Sequence, residues 1–593
     1  MNLSFSADEG ATKGIPMSTA STTPVAAYTV PVEDYRFLYA NAFGTDLIER
    51  ATDGAMSADD AADVLAAAGE FATEVLLPLD TVGDREGVVL ENGVARTPAG
   101  FREAYQALVE GGWIAAEAPE SAGGDGLPAL VGAGLAEIWN ASNPAFALCG
   151  TLTHGQIHAL DAYASPELRE TYLTRLVSGE WTGTMNLTEP QAGTDLGAIT
   201  TIATPQGDGT WSIKGQKIFI TWGDHDVADN IVHLVLARTP DAPAGAKGLS
   251  LFVAPKFLVG PDGTPGERNA VETVSIEHKL GIHGSPTCVL SYEGATGYLV
   301  GEIGGGLAGM FVMMNSARLG MGHQGLGIAD RASQRAAAYA ASRLQGPVQD
   351  RPAGTPIAEH PDVRRLLLSM ASTVSALRAL SVYIGDLFDR ADEGENRTLA
   401  EFFVPIIKGW GSEEAVRIAS DAIQVHGGNG FIEETGAAQS LRDARIVPIY
   451  EGTTAIQSND LVGRKTLRDS GATAREVLRR VRESVEALFA TGDERAKQIA
   501  ERIARSADAA ERATDALIAF GPGRDSSAVS VDYLTLLALV SGGWMHGVLA
   551  LASLQNLDDP HAERRLREAD FFTARELPRA LALAESVAAG ETA

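Results

Sequence analysis

Cysteine is almost missing from this chain: two in 593 residues, Cys149 and Cys288, far apart. They provide neither a metal-ligand spacing nor a disulfide framework, which suits a reducing, cytoplasmic setting. Basic residues are scarce as well, 47 lysines and arginines against 77 acids, for a net charge of −30. A field this acidic repels nucleic acid and anionic lipid unless a local patch overrides it. No G-x-G-x-x-G follows a strand pattern and no Walker loop occurs, so nucleotide binding by those modes is unsupported; "GGNG" at 427–430 lacks the required context. The N-terminus has no apolar stretch of the signal-peptide kind. Residues 1–30, rich in Ser, Thr, Ala and Pro, read as a disordered leader, with Met17 a second candidate start.

One long stretch lacks charge altogether. Tyr533 to Leu557 holds no Asp, Glu, Lys or Arg and is long enough to cross a bilayer. Ser541-Gly542-Gly543 interrupts it, and His546, Gln555 and Asn556 fall inside it. The expectation is a buried helix or helix pair in a helical domain.

What is present is globular: 45% apolar and 21% charged residues, over a length that suits about four domains. Three textures alternate. From 31 to 182 the chain is rich in Ala and Leu at helical spacing, as in "SADDAADVLAAAGEFATEVLLPL", with Ser57 a candidate N-cap. From 183 to 300, short β-branched runs punctuated by Gly, Pro and Asp point to an antiparallel barrel or sandwich. Helical spacing returns over 301–466 and again over 467–593, where Arg and Glu mix at i,i+3 and i,i+4 on a solvated face.

Within "IVPIYEGTTAIQ" (446–457) a single carboxylate, Glu451, ends an apolar run beside a flexible Gly-Thr pair. Desolvation raises a carboxyl pKa from about 4.3 toward the range in which it takes protons at neutral pH. From residues alone two readings stay open: a tuned base, or an edge-of-core acid paired with a nearby arginine.

Four segments then line up in order: "MNLTEPQAGTD" (185–195), "KGQKIFITWG" (214–223), "MNSARLGMGHQGLG" (314–327) and "QVHGGNGF…LRDARIVPIYEGT" (424–453). Together they resemble the acyl-CoA dehydrogenases, over about residues 50–465. The resemblance implies an α+β fold of that kind: a helical N-domain, a central antiparallel β-domain and a helical C-domain built as a four-helix bundle, here with an extra C-terminal helical region. It implies FAD as cofactor and an acyl-CoA substrate. Glu451 removes the α-proton, the β-hydrogen leaves as hydride to the flavin N5, and the product is the trans-2-enoyl-CoA. Some relatives carry the base on the "MNSAR" helix, where this chain has Ala317.

The same resemblance assigns the remaining sites. Thr188 bonds the pyrimidine side of the flavin, and Thr194, at a position usually serine, touches substrate or the flavin pyrophosphate. Phe219 stands where relatives usually have Trp, against the isoalloxazine, with Thr221 near N5; strand alternation puts both on one face. Arg318 holds CoA, and Asn315 replaces its usual Asp partner, which removes a charge. Arg343, Gln424, Gly427 and Gly428 reach a flavin diphosphate across a subunit boundary, Thr453 serves the adenosine side, and Ala455 replaces a frequent Gln. The N–H beside Gly452 steadies the thioester carbonyl. For Tyr450, contact with the acyl group and a core role remain equally open.

Shared flavin sites imply an oligomer, with a homodimer favoured over a tetramer by the C-terminal addition; electron-transfer flavoprotein is the implied electron acceptor. Length, the "PVEDYRFLYANAFG" segment (31–44) and the C-terminal region look most like the 3-methylmercaptopropionyl-CoA dehydrogenase-like branch, with straight-chain acyl-CoA dehydrogenases the competitor. A DNA-associated flavoprotein needs a basic C-terminal patch, whereas residues 467–505 mix nine basic with seven acidic side chains.

Overall fold

The computed structural model describes residues 28–44, 47–348 and 350–591. The expected leader lies outside this range up to residue 27, as does Met17. Its last residues, expected to be disordered, are not: Tyr28 is buried, and Thr29 exchanges two backbone hydrogen bonds with the Gln334 amide, both 2.9 Å.

The helical core is organised by the 37-residue helix Gly306–Ser342, packed against Ala129–Ser142, Pro144–Tyr163 and Asn396–His426. Its "MGHQGLG" stretch makes close approach possible. A Cβ on Gly325 would sit 2.5 Å from the Gly411 carbonyl oxygen, and one on Gly327 would sit 2.7 Å from that of Glu137. Two backbones therefore touch this helix directly, a spacing that any side chain at these positions would break.

The β-region is a ring of pairings. Thr287–Val300 pairs with Trp211–Thr221, which continues through Ile202–Pro205 to Asn230–Arg238; Leu249–Pro255 then closes back onto Thr287–Val300. The expected antiparallel pairing holds for most of the sheet, with a parallel exception at its edge. Trp181–Asn186 runs parallel to Asn230–Arg238 over six residue pairs, and the single pair Ile202 with Arg238 is parallel too. The two parallel partners are joined through residues 187–229, which include Ile202–Pro205 and Trp211–Thr221, a connection long enough to bring the chain back in the same direction.

The uncharged stretch forms one unbroken helix, Ser530–Gln555. Gly542 and Gly543 are packing positions, not a break. A Cβ on Gly542 would lie 2.7 Å from Phe572 and 2.8 Å from Trp410, and one on Gly543 would lie 2.9 Å from Leu577. His546 Nε2 faces the Ser372 carbonyl oxygen at 2.9 Å. This helix and Pro361–Asp389 are long and apolar enough to cross a membrane, and both are packed inside the fold.

Candidate active site

Glu451 sits on the turn between the helices Ala437–Ala444 and Thr454–Asp460. Its backbone is left-handed, φ +53°, and Gly452 follows at φ +90°. Only glycine suits position 452, because a Cβ there would lie 2.8 Å from Gln457 Nε2. Thr453 then caps the next helix, its hydroxyl accepting from the Ile456 N–H at 3.3 Å.

The turn is held from beneath. Buried Lys408 donates to the carbonyls of Val447 at 3.0 Å and Gly452 at 2.6 Å. Gln457 Nε2 donates to the Glu451 carbonyl at 3.1 Å. The Tyr450 hydroxyl donates to Gln324 Oε1, and the amide of Gln324 donates to the Pro144 carbonyl at 3.4 Å. Tyr450 is thus anchored to the core by its polar end.

With its backbone so fixed, the Glu451 carboxylate itself makes no hydrogen bond or ion pair with the described residues. Arg318 bonds elsewhere, at 3.7 Å from Asp460. Loss of solvation raises the Glu451 pKa to about 7, against the opposing pull of Arg318 and Lys408. Burial in turn lowers Lys408 to about 8, with Glu451 opposing. The geometry therefore favours the unpaired carboxylate over the paired edge-of-core acid.

Beside this turn lies a cavity of about 860 Å³, walled by the central helix, the two helices that precede the β-region, and the segment 460–468. Arg318 and Asn315 line it, Arg318 buried and Asn315 exposed at its mouth. Glu451 and Tyr450 are not in its wall, so Arg318 is the residue that joins carboxylate and cavity.

The flavin-loop residues form a second group. Thr188 is half-buried, and its carbonyl accepts from the Ile218 N–H at 2.9 Å, which docks the loop on the strand carrying Phe219 and Thr221. That strand bulges: Ile218 and Phe219 together oppose Val289, and Phe219 takes φ +59°. Phe219 is left 59% exposed, an aromatic face without a protein partner, while Ile220 is buried and Thr221 returns to the outer side. Beneath the loop the Glu189 carboxylate accepts from Lys217 Nζ at 2.9 Å, the Thr200 N–H at 2.8 Å and the Thr201 hydroxyl at 2.5 Å. Burial raises its pKa, but these donors prevail and hold it at about 2. Thr194 lies exposed on the same loop.

A third group sits at the far end of the central helix. Arg343 is its C-cap, and the exposed turn of Gly427 and Gly428 packs beside it: Tyr339 stacks on His426 at 4.4 Å and accepts from Asn429 Nδ2 at 3.0 Å. Gln424 is exposed on the last turn of its helix. Nothing lies within 4 Å of a Cβ built on Gly427 or Gly428, so their backbone is open to a ligand. Arg343 is about 37 Å from Arg318 along the helix axis, at 1.5 Å per residue. One chain does not gather this group with the Arg318 site.

Lys408, Gln324, Gln457 and the Glu189–Lys217 pair were not picked out from sequence. Lys408 offered the same signal as Glu451, a lone charge in an apolar run, "FFVPIIKGW".

Comparisons with known proteins identify the family. Residues 59–180, 184–295 and 304–465 match the N-terminal, middle and C-terminal domains of acyl-CoA dehydrogenase, and 477–593 match the acetyl-CoA dehydrogenase C-terminal-like domain. A 3-methylmercaptopropionyl-CoA dehydrogenase of Ruegeria pomeroyi is 46% identical over 564 residues, covering 92% of this chain and 95% of that protein. A butyryl-CoA dehydrogenase of Syntrophomonas wolfei is 39% identical over 419 residues, 67% of this chain and 68% of that one. The fold of a Bacillus anthracis acyl-CoA dehydrogenase complexed with FAD superposes with a TM-score of 0.72 at 23% identity, over 91% of this chain and 90% of that one. The chain belongs to the acyl-CoA dehydrogenase family. It is an FAD-dependent oxidoreductase acting on acyl-CoA thioesters.

Proposed function

We propose that this enzyme converts a short acyl-CoA of the 3-methylmercaptopropionyl type to its trans-2-enoyl thioester, with Glu451 as the base. The observation that carries the assignment of the base is an unpaired carboxylate, raised to about 7, on a rigidly seated turn next to a cavity. A carboxylate at that value is about half ionised at neutral pH and basic enough to draw an acidified α-proton. The Glu451 N–H donates to no described acceptor, so it is free to donate to the thioester carbonyl as negative charge develops there. Arg318, through its cationic field, keeps part of the carboxylate population ionised.

The residues present suit FAD. Phe219 offers an uncovered aromatic face, Thr188 and Thr221 offer hydroxyls beside it, and Arg343 with the open Gly427–Gly428 backbone offers cationic and N–H donors for a diphosphate. When bound, FAD supplies the acceptor for the hydride that leaves the β-carbon. The distance between the Arg318 and Arg343 sites supports sharing of each flavin between two copies of the chain, hence a homodimer. Electron-transfer flavoprotein is the proposed electron acceptor, and two free, buried cysteines suit a reducing cytoplasm.

The 46% identity to the Ruegeria pomeroyi protein supports the sulfur-containing substrate; the Syntrophomonas wolfei butyryl-CoA dehydrogenase supports a straight chain as the second reading. A DNA-associated role loses support because basic and acidic side chains nearly balance over 467–505 and several arginines there are paired, Arg482 with Glu511 at 2.6 Å and Arg475 with Asp515 at 2.7 Å. The test is anaerobic bleaching of the flavin by a panel of acyl-CoAs, ranked by kcat/KM. A preference for 3-methylmercaptopropionyl-CoA over butyryl-CoA supports the reading, and absence of bleaching by any thioester refutes it.

A further inference from the structure

A chain with a net charge of −30 repels the most anionic part of its own substrate, the nucleotide end of CoA with its diphosphate and 3′-phosphate. Such a substrate needs a local cationic landing place, and one wall of the cavity offers it. Arg318, Arg397, Arg464, Lys465 and Arg468 line that wall, against only Glu401 and Asp460 on the same side. The balance of the whole chain, 47 bases to 77 acids, is reversed there.

Both acids of the wall are already engaged. Glu401 accepts from Lys465 at 2.6 Å, and Asp460 lies 3.7 Å from Arg318 and 3.4 Å from Arg464 Nε. Across the cavity Asp161 is held by Arg169 at 2.5 Å, and Glu117 faces His154 at 3.8 Å. Arg468 is exposed at the rim and forms no ion pair with the described residues. Arg397 pairs only with the exposed Asp392, a contact worth little.

Exposure grows outward along the central helix. Arg318 is buried, and its charge acts on Glu451; Asn315, one turn earlier, is exposed. Phe311 lies seven residues before Arg318, on nearly the same face and about 10 Å away along the axis. At this outer level the Arg464 guanidinium sits over the Phe311 ring, 5.4 Å from its centre. Only Nε of that guanidinium faces an acid, and the Arg464 side chain is 62% exposed, so its terminal nitrogens and outer side are open. A planar cation seated on an aromatic ring is a platform on which a purine stacks.

We propose that the Phe311–Arg464 pair and Arg468 form a subsite for the 3′-phospho-ADP end of CoA. The adenine stacks on the Arg464 guanidinium, and the phosphates meet Arg468, with Arg397 beside it. The subsite recognises the carrier and not the acyl group. It therefore rests on the acyl-CoA class alone, and on neither the acyl chain nor the base proposed above.

The test uses the acyl-CoA that bleaches the flavin fastest. The same acyl group is also presented on dephospho-CoA, which lacks the 3′-phosphate, and on pantetheine, which lacks the nucleotide. Flavin-loaded wild type, Arg468→Gln, Arg464→Gln and Arg464→Lys are compared by KM and kcat. Arg468→Gln is expected to raise KM for the acyl-CoA about three- to tenfold, the value of one hydrogen bond. Its penalty should be smaller on the dephospho thioester and absent on the pantetheine thioester, with kcat unmoved. Arg464→Gln should behave alike, and Arg464→Lys, which keeps the charge and loses the plane, should recover only part. Adenosine 3′,5′-bisphosphate should compete with the acyl-CoA in wild type and compete more weakly in Arg468→Gln. A KM equal in wild type and variants overturns the subsite. So does a rise that is the same for the acyl-CoA and the pantetheine thioester, because the change then acts on the channel and not on the nucleotide. Inhibition by inorganic phosphate as strong as by the bisphosphate overturns the adenine stack. If no thioester bleaches the flavin, the acyl-CoA reading fails instead, and displacement of the bisphosphate from wild type but not from Arg468→Gln still decides the subsite.

Discussion

The ammonium of Lys408 lies 2.6 Å from the carbonyl oxygen of Gly452, one residue past Glu451. The same ammonium bonds Val447 at 3.0 Å, so one side chain spans the whole turn on which Glu451 rides. It acts on Glu451 twice, by fixing its backbone and by lowering its pKa. The buried cation thus helps seat the turn and, with Arg318, opposes the desolvation that raises the Glu451 pKa.

Replacing Glu451 by Gln keeps the shape of the turn and removes the proton acceptor. Bound FAD should be retained, and flavin bleaching by substrate should slow by about 10²–10⁴-fold. Stopped-flow absorbance checks this. Bleaching at the wild-type rate would assign the base elsewhere.

The pH profile follows from the raised pKa. The base works ionised, so kcat/KM should climb with pH and reach half its plateau near 7. Stability moves the other way. The folded protein holds the Glu451 proton up to about 7 while the unfolded chain releases it near its ordinary value, so wild type loses stability relative to Glu451→Gln as pH rises between the two. Tm at pH 5 and pH 8 for both proteins measures it: the gap in favour of the variant should be larger at pH 8.

Lys408→Met removes two donors and one charge. The buried Val447 carbonyl loses its partner and the Gly452 carbonyl keeps only Gln457 Nε2 at 3.4 Å, at a cost of about 1–3 kcal/mol. Losing the cation also lets the Glu451 pKa rise further, so the acid limb of kcat/KM should move to higher pH. A fall in Tm with an unmoved limb would reduce Lys408 to a purely structural residue.

Glu189→Gln strands the ammonium of Lys217, which is fully buried. Breaking a buried pair from one side costs about 3–5 kcal/mol, and the loop carrying Thr188 loses its anchor. Weaker FAD retention during gel filtration, with a lower Tm, is expected. Retention equal to wild type would show that the loop is held by its backbone alone.

Much of this was legible in the sequence, for local reasons. Glu451 stood out because one acid interrupts an apolar run, whereas the left-handed backbone at Glu451 and Gly452 is visible only in the structure. Alternation put Phe219 and Thr221 on one face, yet the bulge that turns Phe219 outward depends on the facing strand at Val289, which lies 70 residues away. The parallel pairing of Trp181–Asn186 was hidden for the same cause: pairing partners are set by chain path, not by composition. Ser541-Gly542-Gly543 looked like a break because glycine weakens an isolated helix. Packed against Trp410, Phe572 and Leu577, those glycines are what let the helix fit. Lys408 was missed because a buried lysine declares its role only through carbonyls that the fold brings to it.

Gly542 also reaches further than its own domain. The ring it rests on, Trp410, and the neighbouring Gly409, against which Leu534 packs, directly follow Lys408 on one helix. The C-terminal helices thus pack behind the helix whose Lys408 holds the Glu451 turn. A shortened chain ending before residue 477 would not be a smaller version of the same catalyst. It would be one whose Glu451 turn has lost its support, and side chains added at Gly542 should lower Tm and turnover together.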